Sequence, residues 1–141
     1  MRQFHSLRVA AKQQETRDSV RIALDVPADL RPEFEFLPGQ HLPIQIERDG
    51  KRVRRTYSIC SEHGHWPLEI GIRVQPGGQF SEFAASELSV GDEIDVMPPN
   101  GQFHVNLDEG NSKFYLGFAA GSGITPILSI AKTVLANEPA S

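Results

Sequence analysis

At 141 residues, 39% of them apolar, the chain is long enough to bury one ordinary core and too short for two full domains. A net charge of −4 with 23% charged residues excludes a disordered, highly charged chain and the basic footprint of a nucleic-acid binder. The lone cysteine, Cys60, cannot close an intramolecular disulfide, and the N-terminus has neither a basic leader followed by an apolar run nor a spanning segment. A cytoplasmic protein is expected, with neither nucleic acid nor membrane as a partner.

From Leu7 to Leu107, short runs alternate apolar and polar residues between Gly, Pro, Asp and Asn, the period of half-buried strands. The first two are Leu7 to Ala11 and Val20 to Val26, the latter with Val20, Ile22, Leu24 and Val26 on one face. Leu42 to Ile46 is the third, and Pro43, lacking an amide donor, predicts an edge or a bulge there. "RDG" at Arg48 to Gly50 predicts a hairpin turn, with Gly50 free to take positive φ. Thr56 to Cys60 and Leu68 to Val74 follow, the second carrying Ile70, Ile72 and Val74 on one face. Phe80, Phe83, Ala84 and Leu88 recur at helical spacing behind a candidate N-cap, Ser81, and Glu93 to Met97 is the sixth strand. The fold class is therefore all-β: antiparallel strands closing into a barrel or sandwich, with one short helix.

The character changes at Lys113. "KFYLGF" has no alternation, which predicts a strand covered on both faces, and the apolar stretch Phe114 to Ala120 is too short to cross a bilayer. A helix should follow, with Thr125 as N-cap, Pro126 as first helical residue, Ile127, Ile130, Ala131 and Val134 as its apolar stripe, and Pro139 as its stop.

Three segments could carry chemistry. In "RRTYSI", Arg55, Tyr57 and Ile59 project from one face of an extended segment; an exposed Arg-Tyr pair is more often a solvated or cation-π contact, but Arg55 could meet a phosphate while Tyr57 lies flat on a planar cofactor. In "PGGQFS", Pro76 to Ser81, two glycines let the backbone approach a ligand while amides and the Ser81 hydroxyl converge; a tight turn explains the same residues. No lysine follows as a Walker loop requires. "GSGITP", Gly121 to Pro126, lies between a strand and the positive end of a helix, where a phosphate loop is physically sensible, although G-x-G-x-x-P departs from the usual dinucleotide spacing. His63 and His65 stand near no carboxylate or cysteine at metal spacing, so no metal is expected, and Cys60 is a core or rim residue rather than a nucleophile.

The order of "RTYS", "GGQFS" and "GSGITP" resembles the ferredoxin-NADP⁺ reductase family, in which a flavin barrel precedes a nucleotide domain. "FHSLRVA", "FLPGQHL" and "RRTYSIC" look most like the branch of that family serving phenylacetyl-CoA epoxidases, and the similarity runs to about Glu138. The resemblance implies an FAD-binding barrel over residues 1–110. Over 111–141 it implies the incomplete βα start of an α/β NAD(P)-binding domain, as in a fragment of a longer chain. It implies that Arg55 contacts the flavin pyrophosphate, and that Tyr57 and Ser58, the catalytic pair, pack on the ring and hydrogen-bond near N5. Ile72 to Val74 would follow the cofactor through backbone groups, Gly78, Gln79, Phe80 and Ser81 would cradle the pyrophosphate, and Gly121, Gly123, Thr125 and Pro126 would begin the nicotinamide-nucleotide site. The implied activity is NAD(P)H-dependent oxidoreduction, with electrons passing through FAD to an iron-sulfur cluster held in a further domain, and then to the oxygenase components of a multicomponent system. A flavin, ferric-iron or haem-domain reductase is the alternative within the family, and a non-catalytic binding barrel the alternative outside it.

Overall fold

The structure, a computed structural model, describes residues 3–141. Among these residues six strands, β1 (His5–Thr16), β2 (Ser19–Asp25), β3 (His41–Arg48), β4 (Lys51–Ser58), β5 (Leu68–Arg73) and β6 (Glu93–Val96), form one antiparallel sheet in the order β4-β3-β6-β1-β2-β5. Each expected run lies in one of these strands or overlaps it. The register explains why the stripes bury: Val20, Ile22 and Leu24 of β2 stand opposite Ile72, Ile70 and Leu68 of β5, and all six side chains are buried. With Leu7, Val9, Ile44, Val96 and Phe34 they form one core under the concave face. At about 1.5–3 kcal/mol for each such side chain removed from water, this core is the main support of the fold.

The sheet curls without closing. Its two edges, β4 and β5, meet only at a bridge between Ile59 and Ile70 and at the Cys60 amide, which donates to the Glu69 carbonyl at 2.9 Å. The expected barrel is therefore open, because the chain leaves the sheet just past Ser58 and only that end of the strand reaches β5. Higher up, Arg55 to Ser58 and Gly71 to Arg73 stay apart, and the gap between them is where the site lies.

The β3–β4 hairpin forms as expected, with Arg48 paired to Lys51 across a two-residue turn. Asp49 as well as Gly50 takes positive φ there, at 51° and 72°, the conformation that matches the strands' twist. Pro43 does not mark an edge: β3 lies between β4 and β6. Its carbonyl accepts the Met97 amide at 2.9 Å, so its missing donor falls on the β6 side, where the ladder has only two paired positions, Ile44 with Val96 and Gln45 with Asp95.

Helices depart from expectation at their starts. A single turn, α1 (Arg31–Phe34), buries Phe34 against the core and has no counterpart in the periodicity. Helix α2 (Ser81–Ser86) begins at Ser81 itself, with Phe80 in the cap position, because the Ser81 hydroxyl accepts the Gln75 amide at 3.0 Å instead of an amide of its own helix. Helix α3 (Ile124–Asn137) is entered through a 3₁₀ turn at Gly121–Gly123, with Gly123 in the cap position. Thr125 is not its cap, since its hydroxyl donates backwards to the Ser122 carbonyl at 2.9 Å, and Pro126 stands in the first turn rather than at its first position.

One further expectation for this end of the chain is corrected. Residues 113–118 form no strand; Phe114, Leu116 and Phe118 are 93%, 71% and 83% exposed. A parallel strand needs neighbours for its backbone groups, and none is paired with this one. The expected apolar stripe of α3 is present and turns toward the segment before the helix. Ile127, Ile130, Ala131 and Val134 line an open groove with Phe114 to Gly117, while Ser129 and Thr133 are the wholly buried side chains of the helix. Glu138 fastens the segment before the helix to its end, accepting from Asn111 Nδ2 and the Tyr115 hydroxyl, each at 2.8 Å.

Candidate functional site

β4 places its last four residues along the open seam. Val53 and Ile59 point into the core, while Tyr57 lies half-buried above Phe80, with ring centroids 5.4 Å apart and planes inclined by 37°. Phe80 is fully buried and so acts as the floor under the tyrosine. Burial pushes the Tyr57 phenol above its ordinary pKa, with Arg55 pulling weakly the other way, so the ring stays neutral. Arg55 is exposed, and its guanidinium donates to the Arg54 carbonyl at 2.7 Å. It has no ion-pair partner among the described residues.

The loop after β5 is fastened to itself. The Gly78 amide donates to the Gln75 carbonyl at 2.8 Å and the Gly77 amide to Glu82 Oε1 at 2.9 Å. A Cβ at Gly78 would meet Ser81 Oγ and stand 2.9 Å from the Gln75 carbonyl oxygen, so glycine is what lets this turn fold so tightly. A second glycine does comparable work inside β5. A Cβ at Gly71 would stand 2.9 Å from Thr125 Cγ2, and its absence lets the start of α3 approach the strand.

These elements enclose a cavity of about 370 Å³. Arg55, Thr56, Tyr57 and Ser58 form one wall, Gly71 and Arg73 the opposite one, Gln75, Gly78 and Ser81 one end, and Ser122 and Thr125 the other. No carboxylate lines it, although the chain as a whole is acidic. Two guanidinium groups, hydroxyls from Ser58, Ser81, Ser122 and Thr125, glycine-exposed backbone and one aromatic face suit an anionic ligand with a planar part. FAD has both, so the donor set fits it.

The structure thus brings together parts of all three sequence segments. Arg55, Tyr57, Ser58, Gly78, Ser81 and Thr125 line this cavity. Gly121 and Ile72 line an adjoining one of about 430 Å³ that shares Gly71, Arg73, Ser122 and Thr125, although Ile72 is itself wholly buried. Phe80 lies beneath Tyr57, and Val74, Gln79, Gly123 and Pro126 line neither cavity. Thr56, Gly71, Gln75 and Ser122 were missed, and Arg73 was expected to contribute only its backbone. Gly71 carried a usable signal, since a glycine inside a strand pattern marks close approach of another element. Cys60 is buried and its thiol is pushed up to about 11, chiefly by burial, so it remains protonated. Among the described residues there is no cluster of three metal-ligating side chains and no helix long and apolar enough to cross a membrane.

Comparison with known proteins agrees with this geometry. Residues 6–105 match the oxidoreductase FAD-binding domain. Over all 141 residues the chain is 41% identical to a component of the 1,2-phenylacetyl-CoA epoxidase of Escherichia coli (strain K12), and spans 40% of that protein. It is 35% identical over 136 residues, 92% of its length, to the ferredoxin reductase component of 3-ketosteroid-9-alpha-monooxygenase from Rhodococcus rhodochrous, spanning 36% of it. Phthalate dioxygenase reductase, a modular structure for electron transfer from pyridine nucleotides to [2Fe-2S], superposes with a TM-score of 0.76 and 31% identity over 94% of this chain and 40% of its own. Ferredoxin-NADP⁺ reductase from Plasmodium falciparum shares the fold, with a TM-score of 0.79 and 21% identity over 94% of this chain and 53% of its own. An open antiparallel barrel with a flavin-compatible seam defines the class as a flavoprotein oxidoreductase domain. The chain belongs to the oxidoreductase FAD-binding domain family, of the ferredoxin-NADP⁺ reductase kind.

Proposed function

We propose that the chain holds FAD in the cavity between β4 and β5 and serves as the flavin domain of an NAD(P)H-dependent oxidoreductase. In this reading electrons pass from nicotinamide nucleotide through the flavin to an iron-sulfur centre and on to the oxygenase components of a phenylacetyl-CoA epoxidase type of system, in the cytoplasm. The observation that carries it is the carboxylate-free cavity in which three glycine- and hydroxyl-bearing segments meet beside one aromatic face. Residues 1–110 would be the flavin domain and 111–141 the opening of the nucleotide domain.

Bound FAD supplies the exchange between two-electron and one-electron transfer, and the chain supplies binding, orientation and electrostatics. Arg55, free of any carboxylate, neutralises phosphate. Tyr57, held in place by Phe80, gives the ring a flat neutral face, and Ser58 offers a hydroxyl to negative charge gathering at the ring's polar edge. Gly78 and Ser81, with the backbone of Gln79 and Phe80, cradle pyrophosphate, and Ile72 to Val74 contribute backbone groups. Gly121, Gly123, Thr125 and Pro126 shape the side from which the nicotinamide nucleotide approaches. The FAD-loaded chain, photoreduced without oxygen and mixed with an oxidised plant-type [2Fe-2S] ferredoxin, should lose its reduced-flavin spectrum as the ferredoxin bleaches. A reduced flavin that oxygen reoxidises but the ferredoxin does not would contradict the proposed acceptor class.

A further inference from the structure

Helix α3 meets the barrel through hydroxyls. Thr125, Ser129 and Thr133 are spaced four apart and stand on one face, with Ser129 and Thr133 wholly buried. Ser129 Oγ donates to the Ser61 carbonyl at 2.7 Å. Thr133 Oγ1 donates to the Ser129 carbonyl at 2.7 Å and accepts the His63 amide at 3.0 Å. On the same side Lys132 Nζ donates to the Cys60 carbonyl at 3.3 Å. Every barrel partner of these hydrogen bonds belongs to the short stretch from Cys60 to His63, which begins two residues after Ser58. The barrel grips that stretch as well, through the Cys60 amide on the Glu69 carbonyl at 2.9 Å and the Glu69 amide on Ser61 Oγ at 3.1 Å.

Apolar faces are held together without direction and can slide, whereas hydrogen bonds tolerate little displacement. Moving α3 along its axis by one residue's rise, about 1.5 Å, would break its contacts with Cys60, Ser61 and His63 and leave buried polar groups unpaired. The first residue of the stripe, Thr125, and the last of β4, Ser58, both line the 370 Å³ cavity. We infer that Ser129 and Thr133 are positioning residues: they set the register of α3 on the barrel, and with it the distance at which Ser122 and Thr125 stand from Tyr57 and Ser58. Neither lines the cavity. The inference rests on the reading of that cavity as the FAD site.

The test compares Ser129→Ala, Thr133→Val and the double variant with the hydroxyl-keeping Ser129→Thr and Thr133→Ser. FAD affinity and the visible circular dichroism of bound FAD are read well below each variant's melting temperature. Each hydroxyl deletion should weaken FAD binding about fivefold and the pair more than tenfold, with an altered dichroism band, while the hydroxyl-keeping variants stay near the parent. Thr125→Val should weaken binding in the parent but add little in the double variant. Should the double variant fail to fold, the single deletions against their hydroxyl-keeping counterparts decide the matter. Variants that melt earlier yet bind FAD with parental affinity and dichroism would overturn the positioning role alone. A parent chain that binds no FAD would overturn the reading of the cavity, and the inference with it.

Discussion

Replacing Arg55 by alanine should separate cofactor binding from folding. The side chain is exposed, and its one internal hydrogen bond is to the neighbouring Arg54 carbonyl, at 2.7 Å. Nothing in the barrel depends on it, so folding stability should stay within about 0.5 kcal/mol of the parent. Toward FAD the situation is reversed, since this guanidinium lines a cavity without a carboxylate. Losing one charged hydrogen bond to phosphate costs roughly 1.5–3 kcal/mol, which corresponds to a Kd about 10- to 150-fold higher. Arg55→Lys should fall between, keeping the charge but not the fork. Flavin-fluorescence titration at two salt concentrations, paired with thermal melts, measures both quantities. An Arg55→Ala chain that binds FAD like the parent and melts at the same temperature would refute the reasoning, because Arg55 would then not face the phosphates.

Three other outcomes follow from the same geometry. Gly78→Ala forces a methyl group against Ser81 Oγ and to 2.9 Å from the Gln75 carbonyl oxygen; it should lower stability by about 1–3 kcal/mol in a denaturant melt and weaken FAD binding, and a neutral result would show that the loop opens freely. Tyr57→Ala removes the ring that packs on Phe80 at 5.4 Å and should weaken FAD binding and shift the bound flavin's visible spectrum, whereas Tyr57→Phe should preserve both; equal losses in both variants would place the effect in the hydroxyl instead. Glu138 is held at a pKa of about 2, below its ordinary 4.5, first by its hydrogen bond from Asn111 and further by Tyr115, the Asp108 amide and Ser141, with burial opposing. A depressed carboxyl stabilises the fold above its unfolded pKa, so this contribution is present above about 4.5 and lost as pH falls toward about 2. Thermal melts across that window should show a parental loss that Glu138→Gln largely lacks, and parallel curves would contradict it.

The strands were legible because most carry an apolar stripe at every second residue that packs on another, as Val20, Ile22 and Leu24 do on Ile72, Ile70 and Leu68. The three loops were legible because glycine and hydroxyl residues sat where strands end. What escaped depends on partners distant in the chain. Closure of the sheet turns on whether the chain at the end of β4 reaches β5, and it does so just past β4, through Ile59 with Ile70 and Cys60 with Glu69. Residues 113–118 have the composition of a covered strand but no neighbour to pair with. Hydroxyls at Ser81 and Thr125 looked like caps, yet backbone groups at Gln75 and Ser122 engage them first. The face that α3 turns to the barrel was not legible because its partner is a row of backbone groups from Cys60 to His63, which hydrophobic spacing cannot reveal. Arg73 was read for its backbone alone, and only the fold shows that it lines the same cavity as Arg55.

Titrating the purified chain with FAD, and identifying by mass spectrometry any cofactor it already carries, tests the site most directly. Saturable binding at micromolar concentration or tighter, about −8 kcal/mol or better, is the predicted result, with a visible flavin spectrum that Tyr57→Ala perturbs. A colourless chain with no saturable FAD binding would contradict the assignment of the β4–β5 cavity to the flavin.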